Sequence, residues 1–164
     1  MPSKKIEKAI NDQIQNEFYA SYLYLAMSAY CESINFPGFA HWMRQQNQEE
    51  TEHAMKLFDY LHDRGGRVTL QEIKKPPANF RSALDMFQQA LKHEQAVTKS
   101  IHALYGLAQR ENDYPTAVEL QWFVTEQVEE EKAAGDIVER LKMIGKDTTA
   151  LYLMDRDLGS RTAG

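Results

Sequence analysis

The chain has 164 residues, of which 43% are hydrophobic and 26% charged, and a formal net charge of −5. That length gives one globular domain, residues 1–164, with a core large enough to fold without staples, and the negative balance with no basic tail argues against nucleic acid as a partner. Cys31 is the only cysteine, which rules out an intrachain disulfide and fits a reducing, cytoplasmic setting; the opening MPSKKIEKAIND carries no apolar signal-peptide core, and no run approaches membrane-spanning length.

Glycine and proline cluster at a few places and leave four long stretches between them, the pattern of long helices joined by defined breaks. The first predicted helix runs from about Lys4 to Ser33 and stops before Asn35-Phe36-Pro37. Its buried track, at three-four spacing, is Ile10, Ile14, Glu17, Ser21, Tyr24, Ser28, Cys31. The second opens at Pro37, a residue suited to a first helical position, and ends at Gly65-Gly66. Its track is Phe39, Met43, Gln46, Glu50, His53, Leu57, Tyr60. The third starts near Ser82, which reads with Asp85 as a capping box, and runs to about Glu111 along Leu84, Phe87, Leu91, Glu94, Thr98, Ile101, Tyr105, Ala108. The fourth opens at Pro115 or Thr116 and closes near Gly145, along Leu120, Phe123, Gln127, Glu130, Ala134, Ile137, Leu141, Ile144; its interior Gly135 costs about 1 kcal/mol. A short fifth helix is predicted within DTTALYLMDRDLGSR, with Leu151, Met154 and Leu158 at helical spacing, packing on something beyond its own bundle.

Two of the connections are short, so the first and second helices, and the third and fourth, form antiparallel hairpins. Between the hairpins lies GRVTLQEIKKPPANFR. A linker of about 15 residues reaches roughly 50 Å when extended, enough to pass a helix of about 29 residues, roughly 43 Å long. The expected fold is therefore an all-α four-helix bundle, up-down then down-up, with a long crossover stiffened by Pro76-Pro77 and a short fifth helix.

Each of the four long helices places polar groups in its buried stripe at a similar depth. Glu17 and Glu50 are 33 positions apart, and so are Glu94 and Gln127. On that period EETEH overlays EQVEE, so each hairpin offers one acid from its first helix and an i, i+3 polar pair from its second. Carboxylates buried without partners cost several kcal/mol each even after relaxation. No lysine or arginine lies on these tracks near that level, which leaves bound protons or bound metal. Four carboxylates, one imidazole and one amide make a hard, oxygen-rich donor set suited to iron or manganese. Tyr24, on the same seam, serves either as packing with its hydroxyl hydrogen-bonded or in a redox role beside the metal. Trp122, just over one turn before the fourth-helix site, reads as core or interface packing ahead of electron donation. Glu49, Glu126 and Glu129 lie beside the seam, as a solvated face or as a further, looser metal position.

These motifs resemble those of non-haem ferritins of the bacterial or archaeal type: NEFYASYLYLAM, QEETEHAMKLFDYL, HEQAVTKSI and EQVEEEK stand where that family has its four helix signatures, and the likeness covers essentially the whole chain. In its second half the chain departs from the double Glu-x-x-His pattern of the wider di-iron carboxylate bundles, with Gln127 in place of glutamate and Glu130 in place of histidine. The resemblance implies that Glu17, Glu50 and His53 hold one iron, and that Glu94 and Gln127 hold a second with Glu50 bridging. Glu130 would stand close to the second iron or bind a third ion with Glu49, Glu126 and Glu129, and Tyr24 matches a tyrosine the family keeps near the pair. It further implies oxidation of Fe(II) by dioxygen or peroxide, storage as ferric oxide inside a homo-oligomeric cage of twenty-four subunits, no haem, and a fifth helix lining the four-fold channel. Phe18, Tyr19 and Tyr22 are expected on outer faces as subunit contacts. The acidic residues lining the three-fold entry of animal ferritins have no obvious counterparts around Ala117 to Leu120, which leaves the Fe(II) route open. The competing classes are a DNA-protecting mini-ferritin, a rubrerythrin-like peroxidase and a haem-containing bacterioferritin; the charge, the single cysteine and the ligand pattern, respectively, weigh against them.

Overall fold

The computed structural model of the protein describes residues 1–163 and contains five helices: α1 (Lys4–Ser33), α2 (Pro37–Asp63), α3 (Ala83–Arg110), α4 (Tyr114–Ile144) and α5 (Thr148–Leu158). No strand occurs among the described residues. Side-chain oxygens start four of the five helices: Ser3 accepts from the Ile6 N–H, Ser82 from Asp85, Asp113 from Thr116 and Asp147 from Ala150. The Asp113 cap starts α4 at Tyr114, just ahead of the proline expected to open it. Left-handed residues end the first three: Asn35 (φ 64°), Gly65 (φ 74°) and Asn112 (φ 54°). In each case the following N–H turns back onto the helix, Phe36 to the Cys31 carbonyl, Gly66 to Leu61 and Asp113 to Ala108, all at 2.9 Å.

The α1–α2 and α3–α4 hairpins are joined by an irregular crossover that runs along α1. Near one end of α1, the Arg67 N–H donates to Glu7 Oε2 (3.2 Å) and the Thr69 N–H to Asn11 Oδ1 (2.7 Å), while Asn11 Nδ2 donates to the Arg67 carbonyl (2.9 Å). Near the other end, the Tyr30 hydroxyl donates to the Phe80 carbonyl (3.1 Å). Glu7 and Tyr30 are roughly 35 Å apart along a helix, so the crossover spans the bundle as its length requires. Side chains of α1 hold it near both ends. Phe18 follows from this: it is half-buried against the core and lines a groove with Thr69, Leu70 and Ile73, rather than standing free on the surface. Tyr19 is also half-buried, tilted against the His93 ring at 5.5 Å, and of the three aromatics only Tyr22 is exposed.

The apolar core is split in two. One cluster includes Tyr24, Met27, Cys31, Phe39, Met43, Met86, Phe87 and Leu141; the other includes Ile6, Ile10, Ile14, Leu57, Leu61, Ile101, Leu120 and Phe123. Every residue of the predicted α1 track is buried, and those of α2 and α4 are buried up to their last members, Tyr60 and Ile144, which are intermediate. The α3 track is corrected. Leu84, Leu91, Thr98 and Tyr105 are only half-buried, and the seam runs through Met86, Phe87, Ala90, Glu94, Val97, Ile101, Leu104 and Ala108.

The fifth helix packs on its own bundle, contrary to expectation. Met154 and Leu158 join the first core cluster, and Leu151 packs half-buried against it. Asp155 accepts from the Gly38 N–H (3.1 Å) and the Phe39 N–H (2.8 Å), placing a carboxylate on the N-terminus of α2, whose own N-cap residue, Phe36, makes no side-chain cap. The approach is close enough that a Cβ at Gly38 would collide with the Asp155 carbonyl. Tyr152 and Leu153 remain exposed and face away from the bundle. We expect Asp155→Ala to lower stability by about 1–2 kcal/mol, or roughly 2–8 °C in Tm for a chain of this size. An unchanged melting curve would show that water replaces the carboxylate without loss.

Candidate metal centre

Between the two apolar clusters the core is polar. Glu17 from α1, Glu50 and His53 from α2, Glu94 from α3, and Gln127 and Glu130 from α4 meet there, with Glu17, Glu50 and Glu94 fully buried and the others no more than 5% exposed. The similar depth expected of the four polar positions is what brings them together. The acids form three overlapping groups, Glu17–Glu50–His53, Glu50–Glu94–Glu130 and His53–Glu126–Glu130, in each of which one ligand atom per residue lies within 4.8 Å of the others. Glu50 joins the first group to the second, Glu130 the second to the third, and His53 the third to the first. Each group could hold a metal ion, and the shared residues link the three from the core to its edge.

Nothing in the protein neutralises the inner part of this set. Glu17 Oε2, both Glu50 carboxylate oxygens and His53 Nδ1 are buried without hydrogen-bond partners. His53 Nδ1 lies 3.3 Å from Glu50 Oε2, but not in hydrogen-bonding geometry. Buried polar groups are rarely left unpaired, and four such atoms aimed at one space mark a place shaped for something else. Desolvation, reinforced by the charges of Glu94 and Glu17, pushes the Glu50 carboxyl well above the usual range. Burial also raises Glu94, against the opposing hydrogen bonds from Tyr24 and Gln127, and lifts Glu130 to about 8 with help from Glu94. Without cations, these acids are driven to hold protons.

The surrounding side chains fix the ligands in place. The Tyr24 hydroxyl donates to Glu94 Oε1 at 2.6 Å, and burial together with the neighbouring carboxylates keeps that phenol protonated far above its ordinary range. Gln13 Nε2 donates to Glu17 Oε1 (3.1 Å), and Gln46 Nε2 to Glu130 Oε2 (2.8 Å). Gln127 directs its amide nitrogen at Glu94 Oε2 (3.1 Å), the Glu94 carbonyl (3.3 Å) and Thr98 Oγ1 (3.1 Å), and the Thr98 hydroxyl donates in turn to Glu131 Oε2 (2.6 Å). The Gln127 carbonyl oxygen takes no part in these hydrogen bonds. Sequence reasoning missed Gln13 and Glu131 and gave Gln46 and Thr98 no role beyond their tracks. For Gln13 a signal existed, since it stands one turn before Glu17.

Beside this pocket, a cavity of about 560 Å³ opens to the surface. Glu49, Glu52, His53, Trp122, Glu126 and Glu129 line it. Glu126 Oε1 is 4.0 Å from His53 Nε2, and burial raises the Glu126 carboxyl while the imidazole opposes that shift. Glu49 and Glu129 border the cavity but belong to none of the three ligand groups. Trp122 stands edge-to-face against His53 at 5.2 Å, with Lys56 Nζ 3.9 Å above its ring. A charge that no helix track offered comes from beyond α5: Arg161 Nη2 reaches Glu49 Oε1 at 3.0 Å.

A four-helix bundle with a crossover and a buried, carboxylate-rich cation centre at mid-height defines a ferritin-like metal-handling protein. Comparison with known proteins gives the family. The model of the ferritin-like domain matches residues 7–144. The bacterial non-heme ferritin of Staphylococcus aureus is 40% identical over 162 residues, covering 99% of this chain and 98% of that one. The open-pore ferritin of the hyperthermophilic archaeon Archaeoglobus fulgidus superposes with a TM-score of 0.98 at 48% identity over 99% of this chain and all of its own. A closed form of that ferritin, engineered by site-directed mutagenesis, gives 0.99 at 48% identity over both full chains. The chain belongs to the ferritin family, as a non-haem ferritin, and iron storage is the family's function. No helix among the described residues is long and apolar enough to cross a membrane.

Proposed function

We propose that this protein is a ferroxidase as well as an iron store: two Fe(II) ions bind as substrate at the buried centre, surrender one electron each to dioxygen or peroxide, and leave as Fe(III) for mineralisation inside a cage of twenty-four chains. The observation that supports this most is the shared Glu50. Neither of its buried oxygens has a partner, and it belongs to two ligand groups at once, as expected of a carboxylate bridging two ions. Glu17 and His53, through Nδ1, complete the ligand set of one ion; Glu94 and the Gln127 carbonyl oxygen complete that of the other. With dioxygen as oxidant, two electrons and two protons convert it to hydrogen peroxide, and protons displaced from the buried carboxyls by iron are available nearby.

The remaining residues hold and release. Tyr24, kept protonated, orients Glu94 through its hydroxyl. Glu130 belongs both to the inner group and to the His53–Glu126–Glu130 group at the mouth, so it suits a carboxylate that passes ions between the two. We assign the third ion position to that outer group, with Glu49 and Glu129 bordering it. A mixed set with one amide ligand holds product loosely, which favours turnover over retention. All the ligands come from one chain, which supports the intrasubunit centre over the intersubunit site of mini-ferritins. Exposed Tyr152 and Leu153 on α5, and Tyr22 on α1, are apolar surface fit for subunit contacts in the cage.

Aerobic addition of Fe(II) tests both halves of the proposal. Ferric absorbance is expected to rise fast at the first two equivalents per chain, in a particle on the order of half a megadalton built from 18.9 kDa chains. Oxidation no faster than in buffer alone would end the ferroxidase reading; a monomeric mass would end the cage.

A further inference from the structure

Arg161 lies three residues beyond α5, yet its side chain is fastened along α2. Its carbonyl oxygen is 2.7 Å from His41 Nε2, Nη1 donates to the Trp42 carbonyl (3.2 Å), and the guanidinium carbon sits 4.7 Å from the centroid of the Trp42 ring. Nη2 then donates both to Gln46 Oε1 (2.7 Å) and to Glu49 Oε1 (3.0 Å). The side chain is only 21% exposed, so the charge is held at the cavity mouth and does not sweep through solvent. Glu49 thus lines the cavity outside the His53–Glu126–Glu130 group with one of its oxygens engaged by a cation.

Two effects of Arg161 on that outer group pull in opposite directions. Through Gln46, whose amide nitrogen donates to Glu130 Oε2 at 2.8 Å, the arginine helps to orient a ligand. Through its charge and its hold on Glu49, it repels an arriving dication and withholds a carboxylate. The first effect is small, because the Gln46–Glu130 hydrogen bond joins neighbouring buried side chains and survives without the guanidinium. The second is direct, since the guanidinium lines the same cavity as His53, Glu126 and Glu130, and like charges at close range near a protein surface repel. We propose that Arg161 is a tethered counter-cation that competes with an incoming metal ion for Glu49, keeping the third ion position weak so that ions move through the mouth and do not lodge there. This inference rests on the reading of the inner pair and outer position given above.

Calorimetric titration of the purified, assembled protein with Zn(II), which is redox-inert, reads the ion positions without reference to oxidation. In Arg161→Gln the weakest equivalent is expected to tighten about ten-fold, while Arg161→Lys stays close to the parent because the charge remains. The gain should vanish in the Arg161→Gln, Glu49→Gln double variant, since the freed carboxylate is its source. An unchanged or weakened third equivalent in Arg161→Gln overturns the proposal, as does a gain that persists without Glu49. Should Arg161→Gln fail to assemble, Glu49→Gln alone decides: a change within about two-fold supports an engaged Glu49, and a ten-fold loss shows that it ligates the ion despite the arginine. Absence of the two tight equivalents in the parent would instead sink the reading of the inner pair.

Discussion

Replacing Glu50 by glutamine is expected to slow the fast phase of Fe(II) oxidation by about a hundred-fold or more while raising the thermal stability of the metal-free protein. The first half follows from position. Loss of a residue that merely supports a ligand typically costs ten- to a hundred-fold in metal affinity or activity, and Glu50 belongs to two of the three ligand groups at once. The second half follows from burial. Its carboxyl is fully buried, both oxygens lack partners, and desolvation with Glu94 and Glu17 pushes its pKa well above 4.5. An amide of the same shape removes that conflict without opening a cavity, and it brings N–H donors into a space whose polar atoms otherwise lack partners. The sign of the pH dependence is definite. In the unfolded chain the carboxyl ionises above about pH 4.5, whereas in the fold it resists ionisation, so the variant's advantage is absent below pH 4.5 and grows above it. Stopped-flow ferric absorbance and melting curves at pH 4 and pH 7.5 measure the two effects. A variant that loses activity and stability together would show that Glu50 serves the fold.

Such opposed effects are also why the centre was legible in the sequence. Glu17, Glu50, Glu94 and Glu130 stand where periodicity demands apolar side chains, and a polar residue in a buried stripe is conspicuous in a way that one on a solvated face is not. The α3 seam was harder. Phe87, Glu94, Ile101 and Ala108 recur every seven residues, and the stripe could widen toward Leu91, Thr98 and Tyr105 or toward Ala90, Val97 and Leu104. Both flanks carry apolar side chains, so hydropathy does not choose. Packing against α1 and α4 does, and it buries the second set. The supporting residues were less legible for a different reason. Thr98 and Glu131 meet across two helices, and Arg161 reaches Glu49 across 112 positions, so no local spacing announces either contact. The placement of α5 was missed likewise. Its apolar face was visible, but Asp155 as the missing cap of α2 shows only when Gly38 and Asp155 are brought together.

The metal-free protein is expected to lose stability as pH rises from about 4.5 to 8, with bound divalent metal restoring it and releasing protons. Glu130 supplies the scale. Burial, with the charge of Glu94, lifts its carboxyl from 4.5 to about 8, so between those values the folded state retains a proton that the unfolded chain has given up. Stability therefore falls across that window and levels off above it. A shift of this size corresponds to on the order of 5 kcal/mol, or roughly 10 °C or more in Tm for a chain of this length. Glu50 and Glu94, both raised by burial, add to the fall in the same direction. Metal ions need the ionised carboxylates, so binding at pH 7 must expel the protons these groups hold, about one or more per chain, whereas acids of ordinary pKa would release almost none. Zn(II) calorimetry in buffers of different ionisation enthalpy counts those protons directly. The count should drop in Glu130→Gln, and the share that Glu130 supplies should fade as pH passes 8. A binding heat that is the same in every buffer at pH 7 would mean that the acids at the heart of the bundle are already ionised, and that something other than protons balances them before metal arrives.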